Sequence, residues 1–313
     1  MRGTTFLKLV EIRTKLASLF PFLIGLLFVI YRYEVIQPVN TIIFFCAMLL
    51  FDLTTTAINN YMDYKKAVSD DYREQSNVIG QEKIPEKVVV ATIITMLAIA
   101  SLLGIWLVFR TDLFVLIIGM LCFAIGIFYT FGPIPLSRMP LGEVFSGVTM
   151  GFGITFLIIY VNAFDQGIAH LGWSGRMITF ELDVLLMLEI FLISLPAVLT
   201  IANIMLANNI CDLEEDVANQ RFTLPYYIGR KNALRLFHLL YFLAFLAILG
   251  AVLIQVLPAY VLLVFLVLGP IMKSIKLFKQ RQSKLETFPL SLKNMMLVNG
   301  MMTITLLAAV FLS

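Results

Sequence analysis

Nine apolar runs, each close to the roughly 20 residues that a helix needs to cross a bilayer, follow one another along this chain. Apolar residues make up 60% of the 313 positions and charged residues only 14%, whereas soluble proteins carry about 25% charged residues. That composition excludes a cytosolic enzyme, a disordered protein and a secreted disulfide scaffold. The sequence therefore predicts an all-α integral membrane protein with nine transmembrane helices: Thr14–Tyr31, Val39–Tyr61, Lys87–Phe109, Leu113–Phe131, Leu141–Asn162, Val184–Asn208, Ala233–Leu257, Tyr260–Phe278 and Asn294–Leu312.

The basic residues predict how these helices are oriented. Nearly all of the 23 Lys and Arg residues lie in the N-terminal segment, in the loops after helices 2, 4, 6 and 8, or at the adjoining helix ends. The three exceptions are Arg32, Arg110 and Arg176. An excess of Lys and Arg marks the cytoplasmic side of a membrane protein. We therefore expect a protein of the cell membrane whose N-terminus and even-numbered loops face the cytoplasm.

Two similar polar motifs end the second and the sixth predicted helices. Asn59-Asn-Tyr-Met-Asp63 closes the second helix, and Asn208-Asn-Ile-Cys-Asp212 closes the sixth, four helices later. Copies separated by an even number of helices run in the same direction across the membrane, as parallel repeats do. The sequence predicts one polytopic domain over residues 1–313, with a four-helix repeat at about 12–131, a second at about 141–278 and a ninth helix at about 294–312.

The acidic residues of these motifs have the spacing of a helical stripe. Residues four apart share one helix face, and the second motif repeats that spacing at Asn208, Asp212 and Asp216. The first motif supplies Asn59 and Asp63, and Asp70 joins their face if the helix continues for two more turns. Two facing oxygen-rich stripes repel one another unless hard cations lie between them. Because Mg²⁺ prefers oxygen ligands and often also binds substrate phosphates, the sequence predicts Mg²⁺ as the cofactor of a phosphate or diphosphate site.

Basic side chains near both motifs fit such a site. An anionic diphosphate needs cations as well as metal. Nearby cations are Lys65, Lys66, Arg73 and Lys83 in one loop and Arg221, Arg230 and Lys231 in the other, of which Lys65, Lys66 and Arg221 lie closest to the acids. The alternative interpretation is that these residues only fix the topology.

Two further carboxylates, Asp52 and Glu189, lie inside predicted spans. A carboxylate in the membrane costs about 2.5–3.5 kcal/mol on insertion scales and is a functional candidate. Asp52 precedes Asn59 by two helical turns and could line the same cavity, or it could be a structural group bonded to a neighbouring helix. We interpret Glu189 as structural. A secondary transporter that couples to cations through these two carboxylates is the competing class, but the acidic residues concentrate at one membrane face.

The two motifs resemble those of the UbiA superfamily of intramembrane aromatic prenyltransferases. The resemblance extends over essentially the whole chain. The matching stretches are Asn59-Asn-Tyr-Met-Asp63-Tyr-Lys-Lys66 and Asn208-Asn-Ile-Cys-Asp212-Leu-Glu-Glu-Asp216-x4-Arg221-x-Thr223-Leu. Within the superfamily, the menaquinone branch of 1,4-dihydroxy-2-naphthoate polyprenyltransferases is the most similar in style, including Tyr129 and Gly132-Pro-Ile-Pro-Leu136 before Gly142-Glu143. The stretch Ala67-Val-Ser-Asp70-Asp71 departs from that branch, so Asp70 and Asp71 are alternatives for the second acid of the first motif.

The resemblance implies transfer of a polyprenyl group from its diphosphate to an aromatic acceptor at a site facing the cytoplasm. It implies metal ligands at Asn59, Asp63, Asp70, Asn208, Asp212 and Asp216. It implies catalytic roles for Asp63, Asp212, Lys66 and Arg221. It implies substrate binding by Asn59, Asn208, Lys65, Arg73, Tyr129 and Asp52.

The acceptor implied by the branch is 1,4-dihydroxy-2-naphthoate, which loses its carboxylate as CO₂ and gives demethylmenaquinol. Other acceptors of the superfamily remain alternatives: 4-hydroxybenzoate, haem or a glycerol phosphate. The expected partners are the two substrates and the lipid bilayer, with no nucleic acid. The sequence predicts neither the prenyl chain length nor the oligomeric state.

Overall fold

Eight long helices make up most of the computed structural model, which describes residues 1–67, 72–129 and 136–312. Each of the eight is long and apolar enough to cross a membrane, and their lengths run from 18 to 30 residues. The protein is therefore a multi-pass membrane protein, as its composition predicted. Within the described ranges the eight helices are Leu16–Tyr33, Pro38–Lys66, Glu86–Arg110, Gly142–Ala163, Val184–Cys211, Leu224–Leu253, Ala259–Gln280 and Phe288–Leu312.

The fourth predicted span forms a shorter helix, Leu113–Phe128, of 16 residues. At 1.5 Å per residue that is about 24 Å, less than the roughly 30 Å of a hydrocarbon core. The side chain of Asp112 fixes its start by accepting a hydrogen bond from the Phe114 N–H at 3.0 Å. The predicted end at Phe131 lies outside the described residues. The count of nine spans and the orientation of the termini therefore stay predictions.

Several short elements connect the long helices. The α-helical ones are Gly3–Leu9, Val78–Gln81 and Leu213–Ala218. The 3₁₀ segments are Ile12–Lys15 and Leu136–Arg138, and the π-helical segment between the first motif and the next long helix is Tyr72–Ser76. Two of the long helices are composite: Gly147–Gly153 is π-helical within Gly142–Ala163, and Ala259–Val267 is 3₁₀ within Ala259–Gln280.

The expectation of an all-α protein is wrong at one place, the loop between the fifth and sixth predicted helices. Strands Ala169–Ser174 and Met177–Leu182 pair antiparallel there, with Leu171 opposite Phe180 and Ser174 opposite Met177. A two-residue turn joins them, and its Gly175 has φ +59°, a conformation that glycine adopts without steric cost. The second strand, Met-Ile-Thr-Phe-Glu-Leu, alternates apolar and polar residues from Ile178 onwards, which is the strand signal in this loop.

The chain divides into two compact units. One comprises Met1–Ser18 and Pro38–Pro135, and the other comprises Leu19–Gln37 and Leu136–Ser313. The first long helix thus falls mostly in the second unit, whereas the two-repeat prediction assigned it to the first repeat. The repeat itself stays a prediction.

In the first unit, the N-terminal segment packs on the helix that carries the first polar motif. Leu9 and Val10 are fully buried in one cluster with Leu53 and Ala57 of that helix and with Ile79. This burial removes apolar surface of both segments from their surroundings and holds the N-terminal segment against the motif helix.

In the second unit, the helix Val184–Cys211 lies at the centre of the packing, against Gly142–Ala163, Leu224–Leu253 and Phe288–Leu312. The contact with Gly142–Ala163 is very close at Gly151. A Cβ at this position would lie 2.5 Å from the backbone nitrogen and Cα of Val198. Small residues of this kind let the backbones of membrane helices approach one another. The helix that ends in the second polar motif is therefore held on several sides.

Candidate active site

The first motif lies on the last two turns of the helix Pro38–Lys66. Asn59 and Asp63 are four residues apart on this continuous helix, so they share a face, and both are half-buried. The described helix ends at Lys66. Asp70 and Asp71 lie outside the described residues, and the choice between them stays open.

A set of amide contacts holds the motif helix on another face. Asn60 donates from Nδ2 to the carbonyl of Leu9 at 2.9 Å, and Asn77 donates to the carbonyl of Asn60 at 2.9 Å. Asn77 is buried and also accepts from the Ile79 N–H at 2.9 Å, which caps the next short helix. These contacts hold the end of the motif helix against the N-terminal segment and against the short helix Val78–Gln81.

The predicted basic residues of the first unit differ in their surroundings. Lys65 forms an ion pair with Glu86, Nζ to Oε2 at 2.6 Å, so its ammonium has a partner other than a substrate. Arg73 donates from Nη2 to the carbonyl of Ala67 at 2.9 Å, which closes the end of the motif helix. Lys66 is exposed beside it. Tyr129 follows the helix Leu113–Phe128 and donates its N–H to the carbonyl of Ile125 at 2.8 Å.

Asp52 lies two turns deeper on the motif helix, and two side chains of its own unit bind its carboxylate. Its Oδ1 is 2.8 Å from Nζ of Lys15, and its Oδ2 accepts from the hydroxyl of Ser18 at 2.6 Å. Lys15 also donates to the hydroxyl oxygen of Thr56 at 2.5 Å. Glu189, in the second unit, has its own cation, Arg32, at 3.5 Å. Both intramembrane carboxylates therefore have basic partners.

The second motif ends the helix Val184–Cys211. The amide of Asn208 donates to Oδ2 of Asp212 at 3.2 Å, so the two side chains adjoin as their spacing predicted. The ammonium of Lys284 donates to Oδ1 of Asn208 and to Oδ2 of Asp212. One cation thus bridges the amide oxygen and the carboxylate of the motif.

The sequence predicted that Asp216 continues the helical stripe of Asn208 and Asp212, but Asp216 lies on a separate short helix. The long helix ends before Asp212, and Asp216 belongs to the short helix Leu213–Ala218, linked back by its N–H to the carbonyl of Asp212 at 2.7 Å. Its side chain is 4% exposed. Oδ1 lies 3.4 Å from Nε of Arg221, while Oδ2 is buried with no hydrogen-bond partner in the described parts of the chain.

This environment changes the protonation of Asp216. Burial raises the pKa of its carboxyl to about 6, and the guanidinium of Arg221 opposes that shift without cancelling it. A buried carboxylate with one unsatisfied oxygen is stabilised by a cation. The neighbouring Glu214 faces outward to Arg230 at 2.6 Å, so it does not compete for this position.

The donor chemistry of the second motif fits a hard divalent cation. Asn208 and Asp212 both accept hydrogen bonds from one ammonium, that of Lys284. Asp216 lies on the short helix that follows, and its Oδ2 has no hydrogen-bond partner among the described residues. All three groups offer oxygen, the ligand atom that Mg²⁺ prefers. Among the described residues no three His, Cys, Asp or Glu side chains cluster as a ready-made metal site. Ligands for Mg²⁺ would therefore include amide oxygens and substrate phosphates.

Sequence reasoning missed two groups near these motifs. Lys284 lies in a loop far along the chain from Asp212, and no local pattern pairs them. The buried pair of Glu143 and Asn209 was also missed: Asn209 donates to Oε1 of Glu143 at 2.8 Å, and both side chains are at most 4% exposed. A signal existed for Glu143, because an acidic residue in an apolar span requires a polar partner.

Comparisons with known proteins show the family to which the chain belongs. The profile of the UbiA prenyltransferase family matches residues 18–298. A curated relative, the 1,4-dihydroxy-2-naphthoate octaprenyltransferase of Bacillus subtilis (strain 168), is 27% identical over 287 residues, which is 90% of this chain and 84% of the relative.

Solved structures share the fold. A UbiA homologue from Archaeoglobus fulgidus bound to GPP and Mg²⁺ matches with a TM-score of 0.68 and 13% identity, covering 98% of this chain and 99% of that one. The apo structure of a UbiA homologue from Aeropyrum pernix K1 matches with a TM-score of 0.69 and 15% identity, covering 92% of this chain and 97% of that one.

Proposed function

This chain belongs to the UbiA prenyltransferase family, and we propose that it transfers a polyprenyl group from polyprenyl diphosphate to 1,4-dihydroxy-2-naphthoate with Mg²⁺ as cofactor. The observation that carries the metal–diphosphate part is the convergence of Asn208 and Asp212 on a single cation. The choice of acceptor is supported by the relative from Bacillus subtilis, whose name specifies that substrate. The product would be demethylmenaquinol, with CO₂ lost from the acceptor.

The residues of the two motifs have distinct tasks in this reaction. Asn208, Asp212 and Asp216 would hold Mg²⁺ in the second unit, and Asn59 and Asp63, with Asp70 or Asp71, would do so in the first. When bound, Mg²⁺ would neutralise the diphosphate as it leaves with the electron pair of the allylic C–O bond. The chain supplies the remaining charge stabilisation through fixed cations.

Arg221 is the best-placed of these cations in the second unit. Its N–H donates to the backbone carbonyl of Asp216 at 2.8 Å, and its guanidinium lies beside the Asp216 carboxylate. In the first unit, Lys66 is exposed at the end of the motif helix, whereas Lys65 is held by Glu86. We propose Arg221 and Lys66 as the residues that stabilise the departing diphosphate, and a lesser role for Lys65.

The site would open to the cytoplasm. This placement is supported by the position of both motifs at helix ends that adjoin the Lys- and Arg-rich loops. The pairing of Asp52 with Lys15 favours a structural role for that carboxylate over direct acceptor binding. We retain the two-repeat arrangement as part of the proposal, because the two motifs end corresponding helices.

The test is prenyl transfer by purified protein in liposomes. The protein is offered 1,4-dihydroxy-2-naphthoate and 4-hydroxybenzoate in parallel, with a labelled polyprenyl diphosphate and either Mg²⁺ or EDTA. We expect prenylated naphthoquinol product that requires Mg²⁺ and is lost in D63N and in D212N. E215Q is the matched control, since Glu215 is exposed on the same short helix as Asp216.

Each other outcome corrects a specific part of the proposal. Product with only the benzoate would keep the mechanism and change the acceptor. Donor binding with no product from either acceptor would show that the aromatic substrate is different. Activity that persists in EDTA and in both Asp variants would remove the metal and the two motifs from the mechanism.

A further inference from the structure

The ammonium of Lys284 binds two oxygen atoms of the second motif that the proposed function assigns to a metal ion. Its ammonium donates to Oδ1 of Asn208 and to Oδ2 of Asp212 at the same time. Lys284 comes from the segment between the helices Ala259–Gln280 and Phe288–Leu312, far from the motif along the chain. Nothing in the motif spacing assigns a role to this lysine.

The loop that presents Lys284 is ordered by its own polar contacts. The Ser283 N–H donates to the hydroxyl oxygen of Thr287 at 2.9 Å, and that hydroxyl donates to the carbonyl of Arg281 at 2.9 Å. Arg281 and Glu286 form an ion pair at 2.7 Å across the same turn. These contacts fix the backbone conformation of the turn that carries Lys284.

The side chain of Lys284 is freer than its backbone. It is 46% exposed, whereas Asp212 is 23% exposed, and its ammonium lies 5.2 Å from the ring centre of Phe288. A lysine carries three donors on a flexible stem of four carbons, so the ammonium can leave one acceptor for another nearby without a change in the backbone.

We propose that Lys284 is an exchangeable counter-ion: it neutralises Asp212 and donates to Asn208 when no metal is bound, and it moves to the donor's diphosphate when a divalent ion takes these oxygens. This inference rests on the proposed function, because it assumes that the second motif binds metal and diphosphate.

Charge and geometry require the exchange. An ammonium and a divalent cation that share the same two oxygens would lie within a few ångströms of one another, and like charges at that distance repel strongly. The ammonium must therefore withdraw when the metal binds. A diphosphate bound to that metal presents several anionic oxygens beside the motif, and a lysine is a common partner for phosphate. Without metal the charge of Asp212 is thus neutralised, and with metal and diphosphate bound the second motif gains a cation that the motif spacing did not predict.

Metal affinity without donor tests the first half of the inference. Free Mn²⁺ is measured by its EPR signal during titration of the protein in nanodiscs, for wild type, K284M, K284Q and K284R. We expect K284M and K284Q to bind Mn²⁺ about tenfold more tightly, because the competing charge is gone, and K284R to stay within twofold of wild type. K279M is the matched control, since Lys279 is an exposed lysine on the preceding helix that lies outside the site.

Donor affinity tests the second half. With saturating Mn²⁺, we expect a farnesyl thiolodiphosphate analogue to bind K284M and K284Q about tenfold more weakly than wild type, while K279M is unchanged. Equal or weaker Mn²⁺ binding by K284M and K284Q, equal gains in K279M, or no Mn²⁺ binding by any variant would overturn the competition. Unchanged analogue affinity would overturn the transfer to diphosphate.

These readouts separate the inference from the proposed function. Wild type that binds Mn²⁺ and the analogue but makes no prenylated product contradicts the proposed reaction and leaves the Lys284 exchange standing. Wild type that is fully active while the K284M and K284Q affinities match its own contradicts the exchange alone.

Discussion

The ammonium of Lys15 lies 2.8 Å from Oδ1 of Asp52, and the two side chains are only 7% and 13% exposed. Ser18 completes the contact by donating to the other carboxylate oxygen. The pair joins the 3₁₀ segment Ile12–Lys15 to the middle of the helix that carries the first polar motif. A carboxylate at this depth is tolerated because its charge is matched and hydrogen-bonded.

Removing either partner should therefore destabilise the protein. Breaking a buried ion pair leaves an uncompensated charge and costs about 3–5 kcal/mol. We expect K15M and D52N each to lower the free energy of unfolding by an amount of this order, measured by denaturant titration in detergent micelles. The double variant should lose less than the sum of the two, because no unpaired charge remains.

The matched control for this pair is K8M. Lys8 also pairs with a carboxylate, Glu82, but its side chain is 62% exposed, so solvent screens the interaction. We expect little change in this variant. If K15M and D52N have the same free energy of unfolding as K8M, the buried pair does not stabilise the fold.

Gly151 should not accept a side chain. A Cβ there would lie 2.5 Å from two backbone atoms of Val198, and backbone cannot move aside as a flexible side chain can. Overpacking of a well-packed contact costs about 1–3 kcal/mol. We expect G151A to lower the unfolding temperature in detergent and G104A not to lower it, since nothing lies within 4 Å of a Cβ at Gly104. Equal behaviour of the two variants would contradict the close approach.

The buried pair of Glu143 and Asn209 predicts a difference between two substitutions. Asn209 donates to Oε1 of Glu143, while Oδ1 of Asn209 and Oε2 of Glu143 have no partner among the described residues. E143Q supplies an N–H donor for the Asn209 oxygen and keeps an acceptor for its amide. We expect E143Q to be at least as stable as wild type.

E143A should instead lose stability, by about 1–3 kcal/mol, because the amide of Asn209 is left buried without a partner. Thermal unfolding of the three proteins in the same detergent measures the order. E143A as stable as E143Q would show that the hydrogen bond contributes nothing, and E143Q as unstable as E143A would show that the carboxyl group itself is required.

The helical spans and the motif faces were predictable from the sequence because they depend on local patterns. Runs of apolar residues set the spans, and four-residue spacing set the adjacency of Asn208 and Asp212. The strand pair in the outer loop also has a local signal. Residues alternate between apolar and polar from Ile178 onwards in the second strand, Met177–Leu182, and a glycine, Gly175, lies in the turn before it.

Contacts between distant segments were beyond local reasoning. Lys284 meets Asp212, and Lys15 meets Asp52, through the packing of whole helices, and no spacing rule relates such positions. The end of the motif helix at Lys66 and the break before Asp212 were similarly hidden, since polar residues at a span's end are compatible with either a longer or a shorter helix.

The pKa of Asp216 predicts a pH dependence of stability in the absence of metal. Burial raises that pKa to about 6, against a value near 3.9 for an unfolded chain. Between these two values the folded protein binds more protons than the unfolded one, so the contribution of Asp216 to stability is fully present below about pH 4 and is lost as the pH rises through 6.

In D216N this contribution has no pH dependence, because an amide does not titrate. We expect the unfolding temperature of wild type relative to D216N to fall between pH 4.5 and 7 in EDTA. A flat difference between wild type and D216N would mean that Asp216 titrates as a solvated carboxylate, and the argument that its buried oxygen awaits a cation would fail with it.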